Sequence, residues 1–300
     1  MDDALNRVAV SMIAVYDDAQ HAQSVEGIAS LPTAQSFRGY ALALTTDGWL
    51  VTTIPIEKAL KSYRLISKTG MIYSVVSASA DPVAGVSFVK ISAKNLHPIQ
   101  FVTLSDRASV RPSALITGWS SAEQIFASPA AYTQPRTAAE YVHSTKKIDR
   151  RILPDTSFEV KCMPAVSDTF EVLGCSAERG IVSFEYIQSA LQSLLRTGQA
   201  NRSDFALSYI DLSQAPMVTG GSEKSQAGAY LQLDVSPQAF QAPEGAREQF
   251  FTGDIITHVN DEVLDDYHNL AERVAQYQKG DSISLKVHGK NGDRDIRIKL

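Results

Sequence analysis

The sequence has few of the residues that build metal sites and disulfide-stabilised domains. Of its 300 residues only two are cysteines, Cys162 and Cys175, and neither belongs to a CxxC pattern. The six histidines form no HxxxH pair. Because zinc sites need closely spaced sulfur and imidazole ligands, the sequence predicts no metal site. Two cysteines allow one optional disulfide and exclude a disulfide-dependent scaffold.

Long apolar runs, excess basic charge and nucleotide-binding motifs are also missing. No apolar run approaches the roughly 18 residues of a membrane span, and Met1-Asp2-Asp3 is acidic where a secretory signal is basic. A cytosolic protein and a fragment cut after an anchor both fit this beginning. The net charge of -5 offers no basic face for nucleic acid, and no GxGxxG or P-loop pattern occurs. We therefore expect no nucleic acid partner and no cofactor.

What the sequence does contain is a series of short apolar or alternating runs over its first 185 residues. Turn signals such as Asp47-Gly48, Thr69-Gly70 and Asp81-Pro82 separate them, and such spacing is typical of a β-sandwich or barrel. The polar stretch 120–154, which carries a basic cluster, is interpreted as a long surface loop. The predicted strands are Val8–Tyr16, Tyr40–Thr45, Trp49–Ile54, Tyr63–Ser67, Met71–Ser77, Gly85–Ile91, Ala114–Gly118, Phe158–Met163 and Gly180–Phe184.

The pattern changes after residue 185. Apolar residues recur at helical spacing from Ile187 to Leu195, and Gly198 follows as a helix C-cap. Beyond it, strand patterns surround one helical face between Tyr267 and Tyr277, and Asn291-Gly292 indicates a hairpin. We predict a mainly β domain over 1–198 and an α/β domain over 199–300. The predicted strands of the second domain are Phe205–Ile210, Gly228–Leu233, Asp254–Val259, Ser282–His288 and Asp295–Leu300.

The second domain resembles the PDZ domains that are fused to bacterial proteases. Gly253-Asp254-Ile255-Ile256 followed by Val259-Asn260 is similar to the family's GDxIxxVNG element, and Lys279-Gly280-Asp281 is similar to its PGD element. The sequence departs from the pattern at Asp261, where glycine is usual, and at 235–249, a longer connection than the family's. The resemblance implies an α/β PDZ fold.

A PDZ domain binds an extended peptide beside one strand, with the peptide's backbone completing the sheet. The resemblance implies that the loop before that strand, at 203–207, holds the peptide's C-terminal carboxylate, although Ala206 replaces the usual glycine. Peptides or protein C-termini are therefore the expected partners, and a PDZ fold used only for packing or assembly is the alternative. The implied peptide-binding residues are Phe205, Ala206, Leu207, His268, Ala271 and Val274.

The first domain is similar to the trypsin-like domain of the HtrA proteases, which has a double β-barrel. Segment 38–53, RGYALALTTDGWLVTT, resembles the family's GSGFIISPDGYIVTN, and 81–91, DPVAGVSFVKI, resembles DPxTDLAVLKI. Segment 113–120 resembles the AIAIGNP strand, and 164–184 falls at the position of PGNSGGPLxNxxGEVIGINT. The order and spacing agree over nearly the whole chain, so the resemblance implies a trypsin-like domain followed by a PDZ domain.

The catalytic residues of the family are absent from two of their three positions. The histidine position falls on Pro55, the aspartate position on Gly85 and the serine position on Ser167. A serine oxygen needs an imidazole to take its proton and a carboxylate to orient that imidazole. The oxyanion region is also altered: Ala165 and Val166 precede the serine, and Asp168-Thr169 replaces two glycines. An acidic side chain there opposes a developing oxyanion.

Two functions follow from this pattern. The first is a catalytically inactive HtrA-like pseudoprotease that acts as a peptide- or protein-binding scaffold or regulator. The alternative is an atypical serine endopeptidase that uses Ser167. The resemblance further implies a periplasmic or other extracytoplasmic location, with a membrane anchor in a longer native chain, and assembly as a homo-trimer. In that compartment a Cys162–Cys175 disulfide fits, and two reduced buried thiols fit the count equally well.

Overall fold

The protein forms two compact units. The first comprises Met1–Asp81, Gly85–Tyr132 and Arg151–Ile187, and the second comprises Pro82–Ala84, Thr133–Arg150 and Gln188–Leu300. This computed structural model describes residues 2–17, 34–56, 60–101, 114–116, 125–127, 142–148, 160–166, 171–178, 180–203, 205–215, 227–232, 240–241, 247–265, 268–290 and 292–300. Among these residues, no helix is both long and apolar enough to cross a membrane.

A closed six-stranded barrel lies at the centre of the first unit. Its strands pair in the order β1-β2-β3-β6-β5-β4, and β4 pairs back with β1. Alternate side chains of these strands point inward, as strand geometry dictates, and form an apolar core that includes Leu50, Leu65 and Val89. The elements are α1 (Asp2–Val10), β1 (Met12–Asp17), β2 (Phe37–Ala43), β3 (Trp49–Thr52), β4 (Tyr63–Ser67), β5 (Ile72–Asp81) and β6 (Val86–Ile91).

The beginning of the chain differs from the prediction. We expected one strand over Val8–Tyr16, but α1 extends to Val10 and the strand starts at Met12. Val8 and Ala9 are buried. The apolar run that we assigned to one strand is therefore divided between the buried side of α1 and the strand that follows it.

A five-stranded sheet completes the first unit, with the order β12-β11-β10-β7-β8. Its strands are β7 (Ala114–Ile116), β8 (Ile125–Ala127), β10 (Pro164–Val166), β11 (Val172–Ala177) and β12 (Gly180–Ser183). Backbone contacts join this sheet to the barrel: the amide of Tyr40 donates to the carbonyl of Lys161 at 2.9 Å. The predicted mainly β class is thereby confirmed.

Two glycines of the first unit allow backbones to approach closely. A Cβ added at Gly39, whose φ is +137°, would lie 2.3 Å from the carbonyl oxygen of Lys161. A Cβ at Gly174 in β11 would lie 2.0 Å from the carbonyl oxygen of Val182 in β12. Both distances are far below atomic contact, so a side chain at either position requires the strands to separate.

The second unit packs an antiparallel sheet against helix α3 (Leu270–Val274). Its main strands follow the order β13-β14-β16-β18-β19; β15 and β9 also pair with β13, and β17 pairs with β16. Leu207, Leu231, Ile256 and Leu285 are among the fully buried core residues. The other elements are β9 (Val142–Ser144), α2 (Gln188–Thr197), β13 (Ala206–Asp211), β14 (Ala229–Leu231), β15 (Phe240–Gln241), β16 (Ile255–Val259), β17 (Glu262–Val263), β18 (Ser282–Gly289) and β19 (Gly292–Lys299).

Local signals account for several boundaries in this unit. The hairpin predicted at Asn291-Gly292 is confirmed, because β18 and β19 pair from Ser282↔Lys299 to Gly289↔Gly292. Helix α3 begins with a capping box: the Asn269 side chain accepts from the Glu272 amide, and the Glu272 side chain accepts from the Asn269 amide. The interpretation of 120–154 as a surface loop is wrong in part, since this stretch contains β8 and β9.

Candidate functional site

The end of β3 brings the predicted histidine and aspartate positions into one neighbourhood. Pro55 follows β3 and is exposed, while its neighbours Ile54 and Ile56 are buried. The amide of Ile56 donates to the hydroxyl of Ser87, which lies in β6 two residues after Gly85, at 3.3 Å. Pro55 thus follows β3 and Gly85 precedes β6, which are two paired strands of the barrel. Neither residue offers a group that can exchange a proton.

The predicted aspartate position, Gly85, lies in a backbone turn. Gly85 is exposed with φ +73°, and its amide donates to the carbonyl of Asp81 at 2.9 Å, closing the turn between β5 and β6. A positive φ is a conformation that glycine adopts at low cost. The residue at this position therefore serves the turn, and the nearest carboxylate in sequence, Asp81, is buried at the end of β5.

The same strand end also reaches the five-stranded sheet. The hydroxyl of Thr53 donates to the carbonyl of Ser176 in β11 at 2.8 Å. Within that sheet, Ala165 and Val166 are buried in β10, where Ala165 lies opposite Gly174 on one side and Ile116 on the other. The remainder of the predicted oxyanion region, Ser167 to Thr169, lies outside the described residues.

Cys162 and Cys175 are adjacent in the first unit. Both are fully buried free thiols, and their Sγ atoms are 2.7 Å apart. Cys162 has φ +53° and its amide donates to the carbonyl of Ser176 at 2.8 Å. A disulfide between the two cysteines stays a prediction. In the part of the chain that the structure describes, no group of three histidine, cysteine, aspartate or glutamate residues is placed to hold a metal ion.

The predicted peptide-binding residues lie in or next to β13 and α3 of the second unit, with Phe205 just before β13 and His268 just before α3. Five of them are buried, and Phe205, Leu207, Ala271 and Val274 belong to the apolar core. A hydrogen bond joins β13 to α3: the amide of Ala271 donates to the hydroxyl of Tyr209 at 3.0 Å. Ala206 is buried too, and it lies opposite Gln241 of β15.

His268 is the one half-buried member of this predicted set. Its amide donates to the side chain of Asp265 at 2.7 Å, and its ring Nδ1 lies 3.3 Å from the same oxygen. It stands one residue before the N-cap of α3. The structure thus places the predicted residues at one strand and one helix start, and their role in binding stays a prediction.

A feature that the sequence reasoning missed is the strand that covers β13. Strand β9 pairs antiparallel with it, with Ser144 opposite Ser208, His143 opposite Tyr209 and Val142 opposite Ile210. The run Tyr141-Val142-His143-Ser144-Thr145 contains aromatic and β-branched residues that favour strands. This local signal is overlooked when the stretch 120–154 is interpreted as one surface loop.

The arrangement of strands is that of the HtrA-type serine proteases. The chain is similar to the solved structure of the HtrA-type protease AlgW with decapeptide, at 16% identity and a TM-score of 0.57, over 99% of this chain and 97% of that chain. It is likewise similar to AlgW with tripeptide, at 15% identity and a TM-score of 0.58, over 99% and 95% of the two chains. No protein-family model and no curated protein matches the sequence. The likeness supports the expected HtrA-like, mainly β fold, and the PDZ assignment of the second unit stays a prediction.

Proposed function

We propose that the protein is a catalytically inactive HtrA-like pseudoprotease that binds peptides or protein C-termini as a scaffold or regulator. In this proposal the second unit is a PDZ domain, and the first unit contributes the protease fold without its chemistry. The observation that carries the proposal is the strand end after β3, where exposed Pro55 occupies the predicted histidine position. This position lies beside the start of β6, which follows the turn that contains Gly85.

The chemical reason is that a serine hydroxyl attacks a peptide bond only when a base removes its proton. Proline has no titratable group, and no histidine occurs between His21 and His97 in the sequence. Loss of the base and of its orienting carboxylate reduces turnover by several orders of magnitude in serine proteases. A glycine in a tight turn at the aspartate position supports the same conclusion.

The test compares the purified protein with its Ser167→Ala variant. We expect neither to cleave casein above the buffer rate, and neither to react with a fluorophosphonate probe, while trypsin in the same assay does both. Labelling of the unmodified protein that Ser167→Ala abolishes would contradict the proposal and support the serine endopeptidase.

Location and assembly form a second part of the proposal. By resemblance we place the protein outside the cytoplasm, with an anchor in a longer native chain, and expect a trimer. Light scattering of the purified protein measures the assembly, and fractionation of cells that express the native gene measures the location. A monomer at micromolar concentration would contradict the trimer without affecting the proposed binding function.

A further inference from the structure

The edge of β13 that faces away from β14 and β15 is covered by a segment of the same chain, residues 142–145. We infer that this segment is an internal pseudo-ligand that occupies the site of an extended C-terminal peptide. The inference rests on the peptide-binding function proposed above. An external protein C-terminus with a free carboxylate would then bind only after it has displaced the chain's own segment.

The hydrogen bonds identify which edge of β13 is covered. The amide of Thr145 donates to the carbonyl of Leu207 at 3.1 Å, and the amide of Leu207 donates to the hydroxyl of Thr145 at 2.9 Å. Along an antiparallel strand, neighbouring residues direct their backbone groups to opposite edges. Leu207 therefore faces the internal segment, whereas Ala206 and Ile210 face β15 and β14, which lie opposite them.

The direction of the segment is that of a bound C-terminal peptide. Because β9 runs antiparallel to β13, its last residues lie beside the first residues of β13. The loop before β13 is where the proposed domain would hold a terminal carboxylate. Thr145 follows β9 directly and lies beside Phe205 and Leu207. The internal segment thus ends its pairing at the place where a peptide ligand would end.

The Thr145 side chain performs part of the role of a terminal carboxylate. After Ser144 the chain turns away from β13, since the amide of Lys147 donates to the carbonyl of Ser144 at 3.0 Å. The Thr145 hydroxyl then accepts from the Leu207 amide and donates to the Phe205 carbonyl at 2.8 Å. A carboxylate could accept from the same amide, but it could not donate to Phe205.

The segment is packed as well as hydrogen-bonded. Thr145 is 4% exposed and His143 is 8% exposed, and the His143 ring lies 5.7 Å from the ring of Tyr209. Farther along, buried Ile148 donates its amide to the carbonyl of Val83, which belongs to the same unit, at 2.9 Å. An occupant held in this way cannot share the edge with a second strand, so binding of an external peptide and of the segment is mutually exclusive.

The consequence for affinity follows from competition within one chain. A tethered segment acts at an effective concentration on the order of millimolar for short linkers. The apparent affinity for an external peptide equals the intrinsic affinity multiplied by the fraction of molecules in which the edge is open. The protein would therefore bind a C-terminus weakly until the segment is released, and tightly afterwards.

The experiment uses the full chain and fixes the segment 142–145 reversibly to β13 with a disulfide. Ser144 and Ser208 lie directly opposite each other, and opposed residues of antiparallel strands are within the Cα separation that a disulfide spans. We therefore propose the double variant Ser144→Cys/Ser208→Cys, oxidised to close the edge and reduced to reopen it. The unmodified protein with and without the same reductant controls for Cys162 and Cys175.

The probe is a library of random heptapeptides with free C-terminal carboxylates, selected on the reduced double variant. The dissociation constant of the selected peptide is then measured on both forms. We expect binding to be about tenfold weaker, or more, in the oxidised form. Equal affinity for both forms would overturn the pseudo-ligand and leave the proposed peptide binding intact. If the selection returns no peptide and neither form binds the library, the proposed peptide binding fails together with this inference.

Discussion

One of the two predicted sites of the molecule depends on side-chain groups, and the other depends on backbone groups. At the end of β3, recognition and chemistry depend on side chains, and Pro55 and Gly85 provide none that can act. Along β13, hydrogen bonding depends on backbone amides and carbonyls, which remain whatever side chains they carry. A substitution can remove a catalytic base completely, but it leaves a strand edge able to pair. The comparison gives a physical reason why the proposed loss of catalysis is compatible with the proposed peptide binding.

The largest expected effect tests whether the close packing of β11 against β12 stabilises the first unit. Gly174→Ala places a Cβ 2.0 Å from the carbonyl oxygen of Val182, so β11 and β12 must separate. We expect the free energy of unfolding to fall by about 3 kcal/mol, as for severe overpacking. Urea denaturation measures it. Gly70→Ala is the matched control, because nothing lies within 4 Å of that position and its positive φ alone costs about 1 kcal/mol. Equal losses of unfolding free energy in the two variants would show that the close packing at Gly174 does not contribute to stability.

The next effect tests whether the pairing of residues 142–145 with β13 depends on the Thr145 hydroxyl. Thr145→Val keeps the side-chain shape and removes the hydroxyl that accepts from Leu207 and donates to Phe205. Since the amide of Leu207 loses its buried acceptor, we expect a loss of about 1–2 kcal/mol and faster hydrogen exchange at that amide. The control is Ser144→Ala, whose hydroxyl accepts only weakly from the Lys146 amide, at 3.3 Å. Exchange at Leu207 that is unchanged by Thr145→Val would contradict this account of the edge.

A smaller effect tests the first site directly. Pro55 is exposed, so Pro55→His should change the free energy of unfolding by no more than about 0.5 kcal/mol. We expect no casein cleavage, because the variant still has no carboxylate at position 85 to orient the new imidazole. The double variant Pro55→His/Ser167→Ala gives the background rate. Cleavage by the single variant that disappears when Ser167 is also replaced would show that only the base is missing.

The smallest effect concerns pH and lies away from both sites. Hydrogen bonds from Lys90 and Thr45, each 2.5 Å long, lower the pKa of Asp47 below its ordinary value of 3.8. The folded protein therefore keeps Asp47 charged at a pH where the unfolded chain binds a proton. The stabilisation is present above pH 3.8 and is lost as the pH falls through the lowered pKa.

Asp47→Asn tests this dependence. We expect the unmodified protein to be more stable than the variant near neutral pH, with the difference vanishing below pH 3.8. The difference is small because the Asp47 side chain is 67% exposed, where ion pairs contribute little. Denaturation curves at several pH values measure it, and a difference that grows on acidification would contradict the assignment.

The sequence predicted most barrel strands because their signals are local. Trp49–Thr52 and Val86–Ile91 combine apolar runs with turn residues at their ends, and such patterns need no distant partner to be recognised. Pro55 and Gly85 were assigned to the site from the order of local motifs, and their assignment to catalytic positions stays a prediction. Strand β9 was missed because its pairing partner lies more than 60 residues away in sequence. The strand itself is only three residues long, too short for its strand-forming residues to show a clear alternating pattern.

The strand that covers β13 also has a consequence for the protein's behaviour in a crowded solution. The barrel of the first unit closes on itself, so its strands present no unpaired row to another molecule. The sheet of the second unit is open, and without β9 the backbone groups of Leu207 and Tyr209 would be available for pairing with any extended chain. Natural proteins protect such edges because they promote aggregation. If the segment acts as the pseudo-ligand inferred above, residues 142–145 would protect this edge from aggregation at the same place where they would restrict binding. A variant freed of that restriction would then need its ligand, or dilution, to stay in solution.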